Sequence, residues 1–271
     1  MTLPLPAGAS PIGPQEFQDM VDRVERYIGQ VEKNMQRLFD NCNRAAVVLP
    51  AFLADDLRPR LERLRDLTRR LFLELTKVVA NPGWPPGVLS AAEDWTTRVG
   101  GPVSGLATRL TPDQMKLDNK WEGAAADAYA ETLPTQKAAI EGIKQLTDVL
   151  DTNLTKIGWG IVAMWAGLAV ALAAFVAELI VEVGAAATVV GAPPAAAGAG
   201  VSTAKVIGLV GTLVVAFLTY VGLTVDALSG MRQKLAGHEP YPGGSWPRST
   251  TTDLEDGSLR DGDGTDWRMK Y

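Results

Sequence analysis

The side chains with chemical potential are few, and they lie far apart in the chain. His238 is the single histidine, beside Glu239-Pro240 in a turn-rich stretch. A metal site or a Ser-His-acid arrangement requires partners grouped with it, and the sequence groups none there. Cys42 is the single cysteine, which excludes an intrachain disulfide and a thiolate metal cluster. Glu178 and Glu182, four apart on one helical face, have the spacing of a protonation switch or a pore lining, but also of a helix emerging into water. The run Arg58, Arg60, Arg63, Arg65, Arg69 and Arg70, interrupted by Glu62 and Asp66, fits either anionic lipid headgroups or a solvated helix face. Asp-Gly pairs at 256–257, 261–262 and 263–264 lack the loop spacing of a calcium motif. No glycine-rich phosphate loop follows a strand. The expectation is a chain without catalytic residues, cofactor or metal.

Charge sharpens this. A net charge of −5 lacks the clustered excess of Lys and Arg that displaces counterions from phosphates, so nucleic acid is not an expected partner. The 21% of charged residues are spread unevenly: between Lys156 and Asp226 the only charges are Glu178, Glu182 and Lys205, in a stretch built almost wholly from Ala, Val, Gly, Leu and Ile. The stretch from Met1 to Phe17 has no Lys or Arg and no apolar core of signal-peptide length, so Sec-type cleavage is not expected.

Apolar residues at Phe17, Val21, Val24, Ile28, Val31, Met35, Leu38, Cys42 and Ala45 alternate by four and three, which places them on one helical stripe. Leu49-Pro50 predicts a turn. A second stripe follows at Leu57, Leu61, Leu64, Thr68, Leu71, Leu75 and Val78, predicting an antiparallel hairpin over 14–80. From Asn81 to Gly87, three prolines and two glycines predict a linker. A third stripe runs through Trp95, Val99, Val103, Leu106 and Leu110, with a kink or short break expected at Gly100-Gly101-Pro102. A fourth begins near Ala124 and runs through Ile140, Ile143, Leu146, Leu150 and Leu154, with Pro134 expected to bend it. No segment alternates with period two, so no sheet is expected. The fold class is all-α: hairpins 14–80 and 88–157 forming a four-helix bundle, a hydrophobic hairpin over 158–229, a flexible N-terminus over 1–13 and a disordered acidic tail over 236–271.

The hydrophobic hairpin carries the strongest functional signal. Gly158 to Ala177 is a charge-free run of 20 residues. A helix of that length spans about 30 Å, the thickness of a bilayer's hydrocarbon core. Val206 to Val225 repeats the length, and Gly191-Ala192-Pro193-Pro194 with the Ala/Gly run to Gly200 predicts the break between them. Gly167 with Ala171, and Gly208 with Thr212, are small residues four apart that permit close helix contact in lipid. Trp159 and Tyr220 stand near the run ends, as interfacial aromatics do. Lys144 and Lys156 before the hairpin and Arg232 and Lys234 after it place both ends in the cytoplasm if the hairpin spans. The competing reading is a soluble protein that buries the hairpin under other helices.

Trp121-Glu122-Gly123, followed by an Ala-rich stretch, Tyr129 and Pro134-Thr135-Gln136, stands between the third and fourth stripes. A second Trp-x-Gly, Trp165-Ala166-Gly167, lies inside an apolar run, so position carries the argument. Over roughly Val88 to Ile157 the chain resembles the WXG family of helical hairpins tied to bacterial type VII secretion, in which a Trp-x-Gly turn joins two antiparallel helices. The glycine permits the tight reversal and the tryptophan ring caps the hairpin core. The resemblance implies Trp121, Gly123 and Tyr129 as turn-motif residues, and as partners a second WXG-like chain or the secretion machinery, in addition to the lipid bilayer; a second copy of this chain stays open. It implies residence in the bacterial cell membrane or export by that route. One family feature is missing: none of Tyr27, Tyr129, Tyr220, Tyr241 or Tyr271 is followed four positions later by Asp or Glu. That puts autonomous export in doubt.

Overall fold

The computed structural model describes residues 12–115, 121–122, 124–237, 241, 245–247 and 268–269. Most of the expected flexible N-terminus and acidic tail, together with Gly123 and His238, lie outside them. The described residues are overwhelmingly helical, as expected. One departure is an antiparallel pairing of Trp121–Glu122 with Arg268–Met269, Trp121 opposite Met269. Two residues are too few to show a period, so the stripes could not reveal it.

Helix α1 spans Pro14–Val48. Pro14 sits in the first turn, where its missing N–H has no helical partner to lose, and the Glu16 carboxylate accepts the Gly13 N–H at 3.0 Å. The helix stops at Leu49, held extended by the following proline. Helix α2, Ala51–Val79, continues through Pro59. Pro59 lies on the exposed side, where water can satisfy the Asp55 carbonyl that the proline leaves unbonded. The Thr68 hydroxyl donates to Met35 Sδ at 3.8 Å and the Arg65 guanidinium lies 5.7 Å from the Phe39 ring centre. That register is antiparallel, and the expected stripes face inward, with Ile28, Thr68 and Val78 only half-buried and Asn34 added to the buried set.

The linker is shorter than expected. Gly83 adopts φ +73°, but helix α3, Pro85–Asp94, begins on the two adjacent prolines, which a first turn tolerates. A π-helical turn, Trp95–Gly100, joins α3 to α4, Gly101–Ala107. Pro102 has no N–H for the Arg98 carbonyl, and the chain widens just before it, with the Gly101 N–H reaching the Thr96 carbonyl. This is the form taken by the expected break. A short turn, α5, covers Pro112–Met115. Helix α6 covers Ala124–Ala186, 63 residues that include Pro134. Helix α7 covers Ala192–Ala236. Its first turn includes Pro193 and Pro194, so the Ala/Gly run to Gly200 is helical and the break is confined to 187–191.

The chain divides into two compact units, Met1–Val88 with Ile157–Gly222, and Leu89–Lys156 with Leu223–Tyr271. In the first unit, the stripes of α1 and α2 share one core with Ile161, Trp165, Leu168, Leu172, Phe175 and Leu179 of α6, and with Ala192, Ala195, Ala196, Ala199, Val206 and Val210 of α7. The expectation gave the role of partner to the hairpin over 88–157. The partners of α1 and α2 in this core come instead from the hydrophobic hairpin, because its largest side chains themselves recur every four and three residues and form a stripe.

Leu172 is fully buried in this core, while Val170 on the same helix is 72% exposed. Leu172→Ala is expected to lower the unfolding free energy of the purified chain by about 2–5 kcal/mol in urea denaturation. Val170→Ala should change it by less than about 0.5 kcal/mol. Equal effects would show that the two faces do not differ in water.

Candidate membrane hairpin and the Trp-x-Gly segment

In the first unit, α6 and α7 run antiparallel, and glycines set their closest approaches. The Tyr220 ring lies on Gly160, where an added Cβ would come within 3.0 Å of it, and Leu213 lies on Gly167, where an added Cβ would come within 2.9 Å of its Cδ2. Nearer the turn the Glu182 carboxylate lies against Gly198. Gly167 thus makes the close contact anticipated for it, and Ala171 is buried beside it in the same helix. Gly208 does not: nothing lies within 4 Å of its Cβ position, and the Thr212 hydroxyl donates back to the Gly208 carbonyl at 2.9 Å. Small residues at that spacing had no way to signal which face of α7 they occupy.

The ends of the two predicted runs differ in surroundings. Gly158 and Val206 are buried, whereas Ala177 and Val225 are exposed. The most apolar stretch of α6 is 39% buried and that of α7 only 11%. Leu209, Val215 and Leu218 of α7 are each at least half exposed, so α7 presents a long apolar face.

The α6 side of the site is anchored by Trp165, which is completely buried. Its indole N–H donates to the Pro82 carbonyl at 2.9 Å. The Phe17 ring stands edge-on to Trp165 at 6.2 Å and to Trp84 at 6.1 Å. Gly83 lies against Ile161, where an added Cβ would stand 3.2 Å from the Ile161 Cδ1. The Trp-x-Gly triplet within the apolar run is therefore a packing device, with Trp165 facing the amphipathic hairpin and Gly167 receiving Leu213. The signal for this was the spacing of the large side chains in an otherwise Ala- and Val-rich run.

At the turn end, the Asn41 amide donates to the Val183 carbonyl at 3.2 Å, the Cys42 thiol lies 3.7 Å from the Ala192 carbonyl, and Arg60 Nη1 donates to the Pro193 carbonyl at 3.4 Å. Cys42 is completely buried, and burial pushes its thiol up to about 11, which makes it unreactive while the core is closed. Glu182 is half-buried, and both this burial and, secondarily, the Glu178 carboxylate raise its pKa above the ordinary value.

In the second unit, Gly100 meets Thr147 of α6, where an added Cβ would stand 2.8 Å from the hydroxyl. Thr96, Ser104 and Lys144 line an open groove of about 310 Å³ beside this contact. The Gln136 amide donates to the Pro247 carbonyl at 2.9 Å. Of the turn-motif residues, Trp121 has its backbone in the two-residue pairing and Tyr129 is half-buried on α6. Gly123 and the Trp121 side chain lie outside the described residues. Among the described residues, no three His, Cys, Asp or Glu side chains converge to hold a metal ion. No family, curated protein or solved structure matches the chain.

A carboxylate with a raised native pKa binds its proton more tightly in the folded state. Stability from Glu182 is therefore present below the ordinary carboxylate range and falls as pH rises through the raised value. Glu182→Gln is expected to raise the neutral-pH melting temperature and to flatten its slope across that window, followed by circular dichroism. A melting temperature unchanged at every pH would contradict this role. The sign also means that acid favours the α6–α7 contact at Gly198 and does not open it.

Proposed function

We propose that this chain is a non-enzymatic, membrane-associated protein that enters a bilayer through its hydrophobic hairpin, Gly158–Ala177 and Val206–Val225. The observation that carries this reading is the pair of long apolar helices, of which α7 has only 11% of its most apolar stretch buried, with Leu209, Val215 and Leu218 at least half exposed. An exposed apolar face of that length favours lipid over water as its neighbour. The link to type VII secretion, to a WXG-like partner and to a bacterial cell membrane rests on the resemblance around Trp121.

A second reading has its own support. With Phe17 against Trp165 and Asn41 against Val183, α1 lies beside the α6 segment that would span. Along that stretch Arg23, Glu25, Arg26, Glu32, Lys33 and Arg37 face outward. Each such charge costs about 2.5–3.5 kcal/mol at the bilayer centre, so carrying α1 into the hydrocarbon would cost on the order of 10 kcal/mol or more, comparable to the whole stability of a domain. This arrangement suits water or a membrane surface. It supports a soluble, secreted α-helical pore-forming protein that stores the hairpin until insertion.

Fractionation of producing cells followed by carbonate washing tests the two readings. Retention in the washed membrane supports an anchored protein. A water-soluble species in the medium that later releases dye from liposomes supports the stored hairpin. A soluble species that neither binds nor permeabilises liposomes would overturn both.

A further inference from the structure

We propose that the α1–α2 pair is a displaceable cover over the hydrophobic hairpin, latched at the hairpin's turn by Asn41, Cys42 and Arg60. The inference rests on the membrane reading above and adds the element that regulates it. Most of the contact is non-directional: Val, Leu, Met and Phe side chains of α1 and α2 lie on the Trp165–Leu179 stripe of α6 and the alanine face of α7. Acyl chains can take over such contacts without leaving a polar group unsatisfied.

The directional contacts are gathered at the two ends. At the turn, three side chains address the carbonyls of Val183, Ala192 and Pro193, which lie in the last turn of α6 and the first turn of α7. Arg60 is itself oriented by Asp56, 2.8 Å from its Nη2. At the other end, Trp165 donates to Pro82. Water replaces the polar bonds at the turn, so the cover opens from that end. The released helices keep amphipathic stripes that lie flat on a membrane surface, their charged faces toward water.

Cys42 is the natural reporter of this opening, because it is the chain's single thiol and is fully buried beneath the turn. Maleimide labelling of the full chain should be slow in buffer and at least about tenfold faster with vesicles of phosphatidylcholine and phosphatidylglycerol, as the protected core opens. Removing two latch bonds in Asn41→Ala/Arg60→Ala should speed labelling in buffer by about tenfold. If that double variant loses its helical circular dichroism, Ala192→Cys serves instead. Oxidised against Cys42, it should bar insertion, read as protection from protease and dye retention, and a reductant should restore it.

Vesicle flotation separates failure of the cover from failure of the membrane reading. Chain that floats with Cys42 still protected, or an oxidised Ala192→Cys chain that inserts normally, overturns the cover while leaving membrane association intact. Chain that never floats overturns the membrane reading and the cover with it.

Discussion

The burial of Trp165 is the contact on which the first unit depends. Its burial removes a whole indole from water, and the ring needs an acceptor for its N–H. The Pro82 carbonyl, placed by the loop that Gly83 turns, supplies one. The same ring orients Phe17 at the start of α1. One residue thereby ties together the beginning of α1, the end of the α2 linker and the apolar run. Without it, the large side chains on α6 would lack the contact that sets their register against α1.

From that register follows the double character of α6. Over Ile161 to Ala177 it is apolar all round, which suits lipid, yet its large side chains, from Ile161 on to Leu179, occupy one stripe, which suits a protein core. In the described arrangement the stripe is covered and Val170 and Ile180 on the other face are not. Helix α7 sets Leu213 and Tyr220 on glycines of α6 and leaves Leu209, Val215 and Leu218 exposed. The two helices thus contribute unequally, α6 supplying the core and α7 the exposed face. A hairpin of this kind is compatible with water on one set of contacts and with a bilayer on another, and the outward charges of α1 keep the two sets from being satisfied together.

Sequence patterns made much of this legible. The stripes of α1 and α2 were readable residue by residue, since a 4–3 alternation has no other local explanation, and the π turn was foreshadowed by Gly100-Gly101-Pro102. Proline was harder to interpret. Pro85, Pro193 and Pro194 each look like a helix stop, but lie in first turns where they cost nothing, so α3 and α7 begin earlier than the composition suggests. The small-residue pairs were legible only by half: Gly167 faces α7, whereas Gly208 faces open space. The latch residues Asn41 and Arg60 carried no sequence signal, because each acts on a backbone carbonyl more than a hundred residues away.

By itself, then, the sequence determined the helical class, the amphipathic first hairpin and two charge-free runs of bilayer length, all of which are consequences of local periodicity and composition. Only the tertiary structure decided what the first hairpin packs against. That choice depends on matching Trp165, Leu172 and Phe175 against the grooves of α1 and α2, and complementarity between distant stripes is a property of shapes in contact that neither stripe reveals alone.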